Sequence, residues 1–239
     1  MADHVLAASA NLEAMDAAPT YQAAMTRLVV ESMANVRGQV LDFGAGTGTY
    51  TRAVAQRCPN WKVRVLEPNS DLHSHYNSAI PVHSDLAEIE MGSLDGAYSL
   101  NVFEHIKDDV AALRQLASRC KSGSSIFILV PAHMSLWTPM DDLVGHVRRY
   151  SLAELEQFAR EAGLQVRRGG WFDATGYLAT LAYQQAVRFG LLAKPDGSIT
   201  PTQVATFDRI FKILEPALMC TKVPLGKNCW VLLEKVAET

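Results

Sequence analysis

In the segment Val40-Leu-Asp-Phe-Gly-Ala-Gly-Thr-Gly-Thr-Tyr50 a short apolar run meets three glycines at alternate positions. Val40 and Leu41 read as the end of a buried strand, Gly44, Gly46 and Gly48 as a tight turn, and Thr49 to Cys58 as a helix. A residue without a Cβ lets the backbone approach a ligand closely, so a strand, a glycine turn and a helix opening make a cradle for a nucleotide-bearing cofactor. The spacing is not the dinucleotide fingerprint, whose third glycine would fall one position later.

Charge narrows the choice of cofactor. Asp42 stands at the strand end just before the first glycine. A carboxylate there repels a pyrophosphate and attracts a cation, which favours S-adenosylmethionine, with its ammonium and sulfonium and no phosphate, over NAD. Further along, Trp61-Lys-Val-Arg-Val-Leu-Glu67 alternates apolar and polar residues and ends on an acid, as a second strand carrying a ribose carboxylate should. With Asp42, the three glycines and Glu67 in register, the chain resembles the class I S-adenosylmethionine-dependent methyltransferases. That resemblance implies an α/β fold: a Rossmann-like, seven-stranded, mostly parallel sheet with an antiparallel last strand and helices on both faces. It implies S-adenosylmethionine as cofactor and S-adenosylhomocysteine as product, held by Tyr21, Asp42, Gly44, Gly46, Glu67, Pro68, Asp85, Leu86, Asn101 and Val102.

At 239 residues the chain suits one such domain with an insertion. Its parts are an N-terminal helical cap (1–37), a cofactor-binding half (38–130), an acceptor loop (131–150) and a helical lid or interface insertion (173–223). A net charge of -3 and a pI near 6.2 give no general attraction to nucleic acid. Cys58, Cys120, Cys220 and Cys229 are scattered without a CxxC pair, so thiols in a reducing cytosol are expected, with no disulfide and no metal. The N-terminus lacks signal-peptide character and no apolar run approaches the ~20 residues of a membrane span, so a soluble cytoplasmic protein without a membrane partner is expected.

Ala24, Met25, Leu28, Val29 and Met33 recur at helical spacing, so the segment before Arg37 packs by one face. Tyr21 opens that helix, either as a lid over the methionine end of the cofactor, which the resemblance implies, or as a core tyrosine. Ile80 to Asp85 reads as a short third strand. By resemblance Asp85 faces the adenine amino group with Leu86 against the ring; otherwise Asp85 is a solvated loop residue. Ala97 to Leu100 has the character of a buried parallel strand, and Asn101 emerges at its C-terminal end, where such sheets bind ligands. No Asn-Pro-Pro-Tyr or Asp-Pro-Pro-Tyr run follows, which disfavours base methylation. Glu104 and His105 either do acid-base work or position the loop ahead of the helix that Asp108 and Asp109 begin.

Ser125 to Val130 is a continuous apolar run, as in a strand covered on both faces. Ala132 to Tyr150 is then too long for an ordinary connection. Its phrase Asp141-Asp-Leu-Val-Gly-His-Val-Arg-Arg-Tyr150 resembles a bacterial subgroup of these methyltransferases found near glycosyltransferases and natural-product enzymes. A histidine near neutrality can take a proton as a methyl arrives, so His146 is the candidate base and Asp141 its orienting partner. Arg148 and Arg149 are candidates for holding an anionic group on the acceptor, with His105, His133, Tyr150 and Tyr177 as further acceptor contacts. The same charges would equally serve to tie the loop down by salt bridges.

Ser151-Leu-Ala-Glu154 is a capping box. Tyr177 to Leu192, and Phe207, Ile210, Phe211 and Leu214, mark two helices that would cover the acceptor pocket or form a homodimer interface. Cys229 to Lys235 is the closing strand. The reading is an enzyme that methylates an oxygen, or a nitrogen, of a small molecule in secondary metabolism or glycan-related biosynthesis. A macromolecule methyltransferase, a nicotinamide oxidoreductase and a non-catalytic cofactor binder are the competing classes.

Overall fold

A computed structural model describes residues 17–192, 199–220 and 225–236. The start of the expected N-terminal cap and parts of the 173–223 insertion therefore lie outside the described residues.

In chain order the elements are α1 (Pro19–Ser32), β1 (Gly38–Phe43), α2 (Thr49–Arg57), β2 (Trp61–Leu66), β3 (Val82–His83), β4 (Leu94–Leu100), α3 (Asp109–Arg119), β5 (Cys120–Pro131), α4 (Pro139–Val144), α5 (Leu152–Glu161), β6 (Gln165–Phe172), α6 (Ala174–Arg188), α7 (Pro201–Cys220) and β7 (Asn228–Glu234). They form one seven-stranded sheet in the order β3-β2-β1-β4-β5-β7-β6. β1 pairs in parallel with β2 and β4, and β5 in parallel with β4. β7 runs antiparallel to both β5 and β6, one strand in from the edge. This is the Rossmann-like architecture expected, with the strand order reversing between β1 and β4, the crevice where doubly wound sheets bind ligands.

Alternation along the strands feeds two cores. Leu41, Ala97, Ile126 and Ile128 face α3 and α5, where Leu113, Leu116, Leu155 and Phe158 are buried. Val40, Tyr98, Phe127 and Leu129 face the other way, toward Met25, Val29 and Met33 of α1 and Phe211 of α7.

Three boundaries differ from expectation. β5 opens at Cys120, directly after α3 and five residues before the expected Ser125, and holds Gly123 in a left-handed conformation (φ 80°). β3 keeps only two residues. On α7 the inward stripe is Val204, Asp208, Phe211 and Glu215, while Ile210 and Leu214 point outward. The reason is capping. Asp208 accepts from Thr20 N (3.2 Å) and Tyr21 N (2.8 Å) at the start of α1. Glu215 accepts from Ala174 N (3.0 Å), Thr175 N (2.8 Å) and Thr175 Oγ1 (2.7 Å) at the start of α6. Each carboxylate satisfies amides that a helix leaves open at its N-terminus, so the packed face of α7 is partly acidic. Among the described residues no helix is long and apolar enough to cross a membrane.

Candidate active site

The turn after β1 takes its shape from its glycines. Gly44, Gly46 and Gly48 have φ of 79°, 57° and 75°, the left-handed region that side chains disfavour. A Cβ on Gly44 would lie 2.5 Å from Val102 Cγ2, whereas one on Gly46 would meet nothing within 4 Å. Gly44 thus buttresses the β4 end, and Gly46 borders open space. Tyr76, which sequence reading passed over, donates its hydroxyl to Gly46 O (2.7 Å) and packs where a Gly48 side chain would go.

Two carboxylates flank this turn. Asp42 is buried and accepts on Oδ2 from Thr51 Oγ1 (2.6 Å) and Tyr98 Oη (2.8 Å). Burial raises its carboxyl to about 7, against the pull of those two donors, with the Glu67 charge adding to the rise. Glu67 accepts from Gly46 N (2.8 Å) and Asn69 N (2.9 Å), which pins it across the turn, and Pro68 leads outward from it. Among the described residues neither acid forms a salt bridge. A negatively biased bend with open space over Gly46 fits a cationic, phosphate-free adenosine ligand.

The other expected cofactor contacts divide. Asn101 follows β4 with φ 55°, and Val102 lies against Gly44. Leu86 is buried in the same core as Phe43. Asp85 is exposed, and its Oδ1 caps a short 3-10 turn by accepting from Ala87 N (2.7 Å). Tyr21 is enclosed by Phe172, Phe207 and Phe211, at ring distances of 5.3, 6.1 and 5.2 Å, and its hydroxyl accepts from Asn228 Nδ2 (3.0 Å). Of the two readings of Tyr21, the packing favours the core tyrosine: its ring lies against Phe207 and Phe211 of α7 and its amide is bonded to Asp208.

The 131–150 loop is drawn together by charge. Asp141, 1 % exposed, accepts from His146 Nδ1 (2.7 Å) and from Arg149 Nε (2.8 Å) and Nη2 (3.0 Å). His146, Arg149 and the Thr138 amide together hold its carboxyl well below the usual range, outweighing burial. Arg149 also donates to Ala132 O (3.1 Å). Arg148 donates to Asp109 Oδ2 (2.6 Å) and Lys107 O (2.7 Å), and Tyr150 Oη donates to the same Asp109 oxygen (2.6 Å). The expectation that Arg148, Arg149 and Tyr150 face an acceptor is therefore corrected: their polar groups are engaged within the chain, as the salt-bridge alternative had it. His133 stacks on Trp171 (4.7 Å, 6°) with Tyr177 edge-on (5.3 Å), and its Nε2 is buried without a partner.

Beside this loop lies a group that sequence reading undervalued. Glu104 is 0 % exposed and neither carboxyl oxygen has a hydrogen-bond partner. Burial lifts it to about 8 despite the nearby Arg149 charge. Its Oε1 is 3.8 Å from His146 Nε2. His105 packs edge-on to His146 (ring centroids 4.7 Å), with Nδ1 at 3.3 Å from Gly145 O. Burial, reinforced by His146, holds the His105 imidazole below its usual value. Glu104 and His105 adjoin in sequence, but His146 comes from the 131–150 loop, so no local spacing announces the three together. Elsewhere, a groove of about 400 Å³ between α1 and α7 is lined by Ala23, Leu28, Phe211 and Met219 and by no residue of the glycine turn.

The fold is that of a Rossmann-like cofactor-binding protein. Residues 16–168 match the family described as methyltransferase domain, and the chain belongs to that family. It is an enzyme that uses S-adenosylmethionine. Among curated proteins no sequence matches it. Solved structures share its fold. The Haemonchus contortus phosphoethanolamine N-methyltransferase 2 in complex with S-adenosyl-L-methionine is 16% identical over 89% of this chain and 52% of that one, with a TM-score of 0.58. A coclaurine N-methyltransferase bound to N-methylheliamine and S-adenosylhomocysteine is 17% identical over 89% and 72%, TM-score 0.58. A SAM-dependent methyltransferase from Archaeoglobus fulgidus is 16% identical over 89% and 92%, TM-score 0.57.

Proposed function

We propose that this enzyme methylates an oxygen, or a nitrogen, of a small-molecule acceptor bound at the sheet edge formed by Asn101, His105, His133, His146 and Tyr177. The loop phrase from Asp141 to Tyr150 and its resemblance to a bacterial subgroup support a place in secondary-metabolite or glycan-related biosynthesis. The two N-methyltransferases above are named for small acceptors, and a chain of net charge -3 has no general attraction to RNA.

The observation that carries the reading is the 2.7 Å contact between His146 Nδ1 and Asp141. Asp141 is held ionised by Arg149, so it accepts the Nδ1 proton, and Nε2 is left as the basic lone pair. Asp42, Gly46 and Glu67 hold the cofactor, which supplies an electrophilic methyl on sulfur and leaves as S-adenosylhomocysteine. Asn101 and Val102, at the end of β4, set where donor and acceptor meet. His146 takes the acceptor's proton.

Single-turnover methyl transfer at saturating cofactor tests this, with acceptors screened by S-adenosylhomocysteine release. His146→Ala is expected to lower the transfer rate by 10²-fold or more, on the order expected for a general base, while S-adenosylmethionine binding is retained. A near-normal rate removes His146 from the chemistry, and release with RNA or protein alone overturns the small-molecule acceptor.

A further inference from the structure

We propose that Glu104, His105 and His146 form a binding site for one divalent transition-metal ion at the acceptor edge. Their ligand atoms all lie within 4.8 Å of one another. The inference rests on the same edge being the acceptor site, and it adds a ligand that nothing in the sequence spacing suggested.

Lone-pair directions carry the case. Arg149 and the Thr138 amide keep Asp141 an acceptor, so His146 donates from Nδ1 and turns the bare Nε2 toward Glu104. A carbonyl can only accept, so His105 likewise donates from Nδ1 to Gly145 O and keeps Nε2 bare. The third party is a fully buried carboxylate with both oxygens unpartnered. Asp141 and Arg149 pair with each other, so Glu104 is left without a bonded partner in the interior. Glu104 Oε1 and His146 Nε2, 3.8 Å apart, are too far for a hydrogen bond and leave room for a shared cation between them.

The dimensions suit a cation. First-row ions hold nitrogen and oxygen ligands at about 2.0–2.2 Å, which sets neighbouring donors roughly 3.0–3.5 Å apart. Glu104 Oε1 and His146 Nε2 are already near that separation, and rotation of the exposed His105 side chain closes the remainder. Asp141 on His146 and Gly145 O on His105 are the outer partners that metal-bound histidines characteristically have. Two imidazoles and one carboxylate select zinc, iron, cobalt or nickel over magnesium. Three protein ligands leave positions for a hydroxyl- or carboxylate-bearing acceptor. With a metal bound, His146 Nε2 would serve as a ligand, the cation would acidify a bound acceptor hydroxyl and its proton would pass to solvent; without the metal, His146 keeps the role of base proposed above.

The test uses chelator-treated full-length protein. Zn²⁺ is titrated by calorimetry and Co²⁺ by visible absorption, with Mg²⁺ as the comparison, and S-adenosylmethionine is titrated in parallel. One equivalent of Co²⁺ or Zn²⁺ is expected, on the order of a hundredfold tighter than Mg²⁺. Glu104→Gln and His105→Asn should each weaken it about tenfold or more. Glu104→Gln keeps the side chain's shape, and His105 is exposed, so both variants should fold. Absence of saturable binding, or binding that both variants leave unchanged, overturns the site. If S-adenosylmethionine still binds while no metal does, the metal site alone fails; if neither binds, the methyltransferase reading of the edge fails with it.

Discussion

Asp42→Asn separates the stability role of the buried acid from its role in cofactor binding. With a folded value of about 7 against an ordinary 3.8, Asp42 stays protonated in the folded protein where the unfolded chain has released its proton. A raised acid contributes stability that is fully present below about pH 4 and is lost as pH rises through about 7. The whole displacement corresponds to about 4 kcal/mol. Asparagine has the same shape, its Oδ1 can accept from Thr51 and Tyr98, and it does not titrate. Urea denaturation at pH 4, 5, 6, 7 and 8 should therefore show the stability difference between variant and wild type moving steadily in favour of the variant, by a few kcal/mol in all. Other raised acids such as Asp173, at about 7 through burial, act equally in both proteins and cancel in the difference. Cofactor binding should move oppositely. A cationic ligand prefers the ionised carboxylate, so wild-type affinity should rise by up to about tenfold per pH unit below 7, and the variant should bind weakly with a flatter profile. A difference in stability constant to within about 1 kcal/mol from pH 4 to 8 would refute the assignment of Asp42 as a buried, raised carboxyl.

Gly46→Ala meets no neighbour but must hold φ 57°, so it should cost about 1 kcal/mol in thermal unfolding while S-adenosylmethionine affinity, read by calorimetry, falls much further; equal small losses would place the ligand elsewhere. Arg149→Met leaves Asp141 buried without its two guanidinium bonds and should lower urea-derived stability by about 3–5 kcal/mol; a cost below about 1 kcal/mol would contradict the buried pair. Glu215→Ala opens two amides and a hydroxyl at the start of α6 and should cost about 2–3 kcal/mol, with hydrogen exchange rising first at Ala174 and Thr175.

Local signals in the chain were readable wherever the physics is local. The β1 strand, the glycine bend and Glu67 are set by side-chain alternation and by residues that tolerate a left-handed backbone, so they stand out without a partner. Tyr21 was ambiguous because the face of α1 that is buried depends on α7, nearly two hundred residues away. Arg148 and Arg149 looked like anion binders because Asp109 and Asp141, which engage them, are distant or unremarkable in sequence. Glu104 was undervalued for a related reason: its isolation is a property of burial, which only the fold creates.

One signal of the site lay in the sequence in a form that only the backbone makes legible. Among the described residues the non-glycine positions with positive φ are Asn101, His133 and Asp173. They fall within two residues of the ends of β4, β5 and β6, strands that all finish at the same edge of the sheet. Each such conformation costs about 1–3 kcal/mol unless its surroundings fix it, and Asn, His and Asp are the side chains that tolerate it best. Asp173 is fixed by donation from Gly176 N (2.6 Å), and His133 by the Trp171 stack. Asn101 keeps its backbone bond to Leu129 O (2.9 Å) with an exposed side chain. Strain is thus concentrated along one edge, and at Asn101, three residues before Glu104, the exposed side chain is placed to turn toward a ligand.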